Sequence, residues 1–114
     1  MKVLIATAGL LIALSPWLAP KTASVTLTIT IVDHSAMLNW QEDGAADVSG
    51  FEVYRSTSSG GPYTRINDVL VNVKSYFDAT VTAGKTYYYV VTAVSPQGDE
   101  SARSNEAPAI IPSS

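Results

Sequence analysis

The chain has 114 residues, 46% of them hydrophobic, with seven basic and ten acidic side chains for a net charge of −3. That length has room for one domain, and the negative balance argues against nucleic acid and anionic lipid as partners. The lack of cysteine removes disulfides and thiolate metal sites together.

Residues 1–24 stand apart from the rest of the chain. Lys2 precedes an uncharged apolar run over residues 3–19, and the small residues Thr22, Ala23 and Ser24 come after it. A positive start, an apolar stretch and a small-residue zone make a secretory signal peptide, with cleavage expected after Ser24. An uncleaved anchor is the alternative, although the run is short for a membrane span and Ser15-Pro16 interrupts it. Loss of the leader takes away Lys2 and Lys21 and no acid, so residues 25–114 carry five basic against ten acidic side chains, a balance of −5. An exported domain of that size without disulfides must stand on its hydrophobic core.

From residue 25 onward, β-branched and aromatic side chains come in short runs parted by Gly, Pro, Asn, Asp and Ser, and no long apolar stretch repeats with helical period. The first run, over 24–31, alternates strictly. Val25, Leu27, Ile29 and Ile31 share one face and three threonines occupy the other, which predicts a half-buried strand. Asp33, His34 and Ser35 form a turn, and residues 36–40 predict a second strand with Leu38 and Trp40 pointing inward. After a polar loop over 41–49, residues 50–55 predict a third strand, with Phe51 and Val53 inward and Glu52 and Tyr54 outward. Ser58-Ser59-Gly60-Gly61-Pro62 is a strong turn signal. Short strands are expected over 63–66 and 75–78, the longest over 86–94 after the turn at 81–84, and the last from about 105 to 111. Seven strands with closely spaced turns predict an all-β antiparallel sandwich.

Several motifs appear in a particular order and spacing: Leu38-x-Trp40, then Val48-Ser49-Gly50-Phe51-Glu52-Val53-Tyr54-Arg55-Ser56, Ser59-Gly60-Gly61-Pro62-Tyr63, the run over 81–94, and Ser104-Asn105-Glu106. Together, over residues 34–112, they resemble the fibronectin type III domain of bacterial secreted proteins. The resemblance implies a seven-stranded antiparallel, immunoglobulin-like β-sandwich with three strands in one sheet and four in the other. It also implies a binding or spacing role and no catalytic residues. It assigns Tyr87 to a tyrosine corner, its hydroxyl bonded to the backbone upstream. Tyr89 and Val91 are then expected inward with Leu38, Trp40, Phe51, Val53 and Tyr76, as structural core.

Chemistry-bearing residues are sparse. His34 is the single histidine and lies in a turn, which leaves neither a catalytic set nor a zinc ligand set. Glu42, Asp43, Asp47, Asp68, Asp99 and Glu100 are expected at one pole of the sandwich, where solvated loop acids, a basic partner or a weak calcium site compete. Exposed loop carboxylates lack the burial that would raise an acid catalyst's pKa. The second candidate is an outward aromatic strip of Tyr54 and Tyr88, extended by Val90 and Thr92 with Tyr63 close by. Such a strip can stack on sugar rings or simply stabilise the sheet. The third is the flat β-prone segment over 22–32, which can pair within its own domain or be donated to a neighbouring copy.

The resemblance implies a non-catalytic protein-interaction or spacer module, and the leader makes it extracytoplasmic: secreted, periplasmic or at the cell surface. A carbohydrate-associated module using the Tyr54/Tyr88 face and a structural subunit assembling through the first strand are the alternatives. The expected partner is a protein or a cell-surface glycan, with membrane contact confined to an uncleaved leader. No cofactor and no metal is expected.

Overall fold

The computed structural model describes residues 23–44 and 46–113. The leader expected over residues 1–24 lies, except for Ala23 and Ser24, outside the described residues. Seven strands succeed one another in chain order: β1 (Val25–Val32), β2 (Ser35–Glu42), β3 (Gly50–Ser56), β4 (Thr64–Arg65), β5 (Ser75–Asp78), β6 (Thr86–Val94) and β7 (Ala107–Ile110). They form two antiparallel sheets, one of three strands in the order β1-β2-β5 and one of four in the order β4-β3-β6-β7.

Alternation drives the packing. On β1, Val25 and Leu27 are buried, Ile29 and Ile31 pack against the same core, and the threonines face water. The hairpin to β2 closes through Asp33, whose φ of 55° is a left-handed conformation that aspartate tolerates. Ala23 is already buried and Ser24 accepts a bond from the Asp43 N–H, so both belong to the sandwich. Between the sheets lie Leu38, Trp40, Phe51, Val53, Tyr87, Tyr89 and Val91, all buried, with the Trp40 and Phe51 rings edge to face at 5.3 Å. Tyr76 sits at the margin of this core: it is only partly buried and donates its hydroxyl to the Ile66 carbonyl at 3.2 Å.

Three polar devices complete what apolar packing cannot. The Tyr87 hydroxyl accepts the Thr82 N–H at 2.8 Å, which closes the expected corner. Asp78, on β5, projects its carboxylate between the sheets with only 2% of the side chain exposed. Arg55 of β3 (2.9 Å) and the Tyr89 hydroxyl of β6 (2.6 Å) reach one oxygen, and the N–H (3.0 Å) and hydroxyl (2.6 Å) of Thr80 reach the other. Burial pushes this carboxyl up, but the bonds from Thr80, Tyr89 and Arg55 outweigh it and hold it below the ordinary aspartate range.

The third device is the use of side chains in place of strand partners. Asn67 accepts from the Val53 N–H at 2.8 Å where β4 has ended. Asn105 accepts from the Leu27 N–H (2.8 Å) and donates to its carbonyl (3.0 Å) on the outer edge of β1. Ser101 and Ser104 each donate an N–H to a β6 carbonyl while their hydroxyls accept the Ala93 and Val91 N–H groups. The fourth strand spans 64–65 and not 63–66, and the last spans 107–110 and not 105–111. Tyr63, Asn67, Asn105 and Glu106 beside them bond through side chains, while Ile66 and Ile111 donate backbone N–H groups to the Val53 and Lys85 carbonyls.

Gly50 opens β3 because nothing larger fits there. A Cβ at that position would stand 2.4 Å from Cγ of Leu70, which lies against it.

Replacing Asp78 by Ala is expected to cost about 3 kcal/mol in urea unfolding, since it strands Arg55 and Tyr89 at the sheet interface. The carboxylate's stabilisation is complete above the unfolded aspartate value near pH 4 and is lost as pH falls through its lower folded value. The Asp78→Asn variant should therefore lack this part of the acid sensitivity.

Candidate functional site

The outer face of the four-stranded sheet carries the aromatic residues. Register pairs Tyr54 with Val90 and Tyr88 with Ser56, so Tyr54 and Tyr88 are diagonal neighbours on one face, as the alternation predicts. The open strip expected around them does not form. Val90 and Thr92 are 2% and 3% exposed and do not extend it. The segment after β6 folds back to bridge Val94 with Glu100, and the Glu100 carboxylate lies over the sheet. It accepts from the hydroxyls of Thr92 (2.7 Å) and Tyr54 (2.6 Å), and Val90 sinks in opposite the Tyr54 ring. Burial, then the hydrogen bond to Glu100, pushes the Tyr54 phenol up to about 12. Those same hydrogen bonds, from Tyr54 first and then Thr92, hold the Glu100 carboxyl below the usual glutamate range.

A second carboxylate closes the middle of the face. Glu106, immediately before β7, accepts from the Ser59 hydroxyl (2.7 Å), the Gly60 N–H (2.7 Å) and the Tyr63 hydroxyl. Tyr63 immediately precedes β4, so this contact reaches from one edge strand of the sheet toward the other. The Arg103 guanidinium stacks on the Tyr63 ring, 4.9 Å from its centre. Tyr63 is therefore a strut holding the loop over 57–63 and does not add to a free aromatic strip.

What remains open is the β6–β7 side. Tyr88 faces Pro108 directly and Thr86 faces Ile110, which is 69% exposed. The hydroxyls of Tyr54, Tyr63, Tyr76, Tyr87 and Tyr89 are all engaged, whereas that of Tyr88 makes no hydrogen bond among the described residues.

The loops after β2 and β6 do meet at one pole, where Ser49 bonds to the Val94 and Ser95 carbonyls. The acids there do not converge. Glu42 accepts from the Gly44 N–H (2.5 Å) and pairs with Lys74 at 3.9 Å, while Asp43 is engaged through its N–H with Ser24. Asp47, Asp68 and Asp99 are exposed, and Glu100 is drawn onto the sheet. Among the described residues no group of three or more histidines or carboxylates that could hold a metal ion is found.

Sequence reasoning gave no site role to Asp78, Pro108 and Ile110, and met Glu106 only as part of a motif. Pro108 alone carried a signal: proline inside a strand belongs at an edge, and with the small apolar Ala107 and Ala109 facing inward, alternation turns Pro108 and Ile110 outward.

No family model matches the chain. It is 37% identical over 95 residues to an amylopullulanase of Thermoanaerobacter thermohydrosulfuricus, covering 80% of this chain and 6% of that protein. The crystal structure of a Fn3-like protein from Clostridium thermocellum matches at 37% identity with a TM-score of 0.64, covering 79% of this chain and 91% of that one. A pectate lyase from Erwinia chrysanthemi, solved in complex with tetragalacturonic acid, matches at 30% identity and a TM-score of 0.66, covering 75% of this chain and 28% of that one. The chain thus spans a small part of the enzymes it is similar to.

Removing the Tyr54 hydroxyl takes from Glu100 its largest stabilising bond. In the Tyr54→Phe variant the Glu100 carboxyl should titrate at higher pH than in the parent, as followed by carbon-detected NMR of the side-chain carboxyl.

Proposed function

Because the chain belongs to the fibronectin type III family, we propose that it is a non-catalytic module acting outside the cytoplasm, which spaces or attaches through its surface, with carbohydrate as its class of partner. One observation carries the non-catalytic reading. The carboxylates with perturbed chemistry, Asp78, Glu100 and Glu106, are each bound up by hydroxyls and N–H groups that hold the fold. Each carboxylate serves the fold through these bonds, whereas catalysis requires an acid or base poised beside a nucleophile at a cavity.

The carbohydrate reading is supported by the outward Tyr88 and by the company the domain keeps. Stretches similar to it lie within an amylopullulanase and a pectate lyase, where they make up 6% and 28% of the chain. Fold likeness alone does not assign a ligand, so the surface must identify it.

A protein contact is the second reading. Four of the six exposed large hydrophobic residues among the described ones, Val69, Leu70, Val73 and Phe77, fall within nine consecutive positions, and such concentration marks contact surfaces. Assembly by donation of β1 is not favoured, since β1 pairs with β2 of its own domain along its whole length.

The test is affinity electrophoresis of the full chain in gels containing soluble starch or pullulan, alongside an assay for reducing ends. Retarded migration without release of reducing ends is expected. Release of reducing ends would overturn the non-catalytic reading, and unretarded migration in every glycan would overturn the carbohydrate one.

A further inference from the structure

We propose that Tyr88, Pro108 and Ile110 form the contact surface of this module, a platform for the C–H face of an uncharged sugar ring. The inference rests on the carbohydrate reading above and gives it a place. On this face Tyr54 lies under the Glu100 carboxylate, and Tyr63 is held between Arg103 and Glu106. Their rims are already hydrogen-bonded and their positions are fixed by the fold. Tyr88 is the exception: its ring is partly exposed and its hydroxyl makes no bond among the described residues.

The geometry around Tyr88 suits a ring. Pro108 stands directly opposite it on β7, and Ile110 lies two residues further along the same face. Neighbouring strands are about 5 Å apart and alternate residues about 7 Å, so an aromatic ring, a proline ring and an aliphatic side chain form one continuous apolar surface. A pyranose offers C–H groups on its face and hydroxyls at its rim. The face would rest on this surface, and the rim would meet the unengaged Tyr88 hydroxyl.

Charge selects the class of sugar. None of the three residues is charged, and the chain as a whole is negative. The arginines that would attract a uronate are committed, Arg65 to Glu52 at 3.3 Å and Arg103 to the Tyr63 ring. A neutral glycan fits and a polyanionic one is repelled. Size argues against a protein or a second copy. A stable protein interface engages about 20–30 residues on each side, whereas this surface has three and is bounded by the Glu106 strut.

The experiment is affinity electrophoresis of the full chain in gels of pullulan and, in parallel, of polygalacturonate, with thermal melting of every variant. Expected are retardation in pullulan and none in polygalacturonate. Weakening by about tenfold or more is expected in Tyr88→Ala and in Ile110→Ser, as for a central contact residue, and parental retardation in Tyr54→Phe. Ile110→Ser alters a side chain already in water, so it tests the surface even if Tyr88→Ala fails to fold. Parental binding by both variants would overturn the site while leaving the carbohydrate reading intact. No retardation of the parent chain in either gel would overturn that reading itself. Stronger retardation in polygalacturonate would overturn the choice of a neutral sugar. A concentration-dependent dimer dissolved by Ile110→Ser would make this face a contact between copies and would likewise overturn the proposal.

Discussion

The rest of this sandwich depends on one buried carboxylate. Asp78 comes from the three-stranded sheet, while Arg55 and Tyr89 come from the four-stranded one, so their hydrogen bonds tie the layers across the core. An ionised carboxylate offers about four acceptor positions, and four donors fill them here. That saturation is the condition for burying the charge at all, because a partly satisfied carboxylate would cost several kcal/mol. The arrangement also propagates. The Arg55 guanidinium stacks on the Tyr87 ring at 5.1 Å, and the Tyr87 hydroxyl in turn receives the Thr82 N–H. A chain without cysteine thus has its sheets cross-linked by geometry in place of a covalent bond.

A second constraint shapes the perimeter. Backbone N–H and C=O groups need partners wherever water is excluded, yet β4 and β7 are too short to supply them along the full length of their neighbours. Asn67, Ser101 and Ser104 fill those places with side-chain amides and hydroxyls, and Asn105 does the same on the open edge of β1. These residues look like loop filler in composition, and they are part of the ladder. Their fixed positions carry Glu100 and Glu106 onto the outer face, so the perimeter decides which tyrosines are left open.

Much of this architecture is legible in the sequence for a physical reason. Period-two alternation states which side of a sheet each residue takes, which orients Leu38, Trp40, Phe51, Val53 and Tyr54; with the strand order that the resemblance implies, it also places Tyr54 and Tyr88 on one face. The same pattern is silent about what lies on top of a face. Val90 and Thr92 alternate outward and are nonetheless buried, because Glu100 arrives from a loop whose path no periodicity encodes. Likewise Tyr63 meets Glu106 from 43 positions away, and Asp78 resembles any polar residue closing a short strand. Tyr88, Pro108 and Ile110 become a surface only once the registers of β3, β6 and β7 are known together.

The placement of Asn105 has a consequence for molecules standing close to one another. β1 is an eight-residue run of aliphatic and threonine side chains with no proline, glycine or charge, the composition that stacks into cross-β fibrils when its border is left unguarded. With the Asn105 amide plugged into Leu27, a foreign chain cannot zip along that border without first evicting a well-seated side chain. Resistance to strand addition at that border is the consequence expected of one exposed asparagine bonded to a single β1 residue.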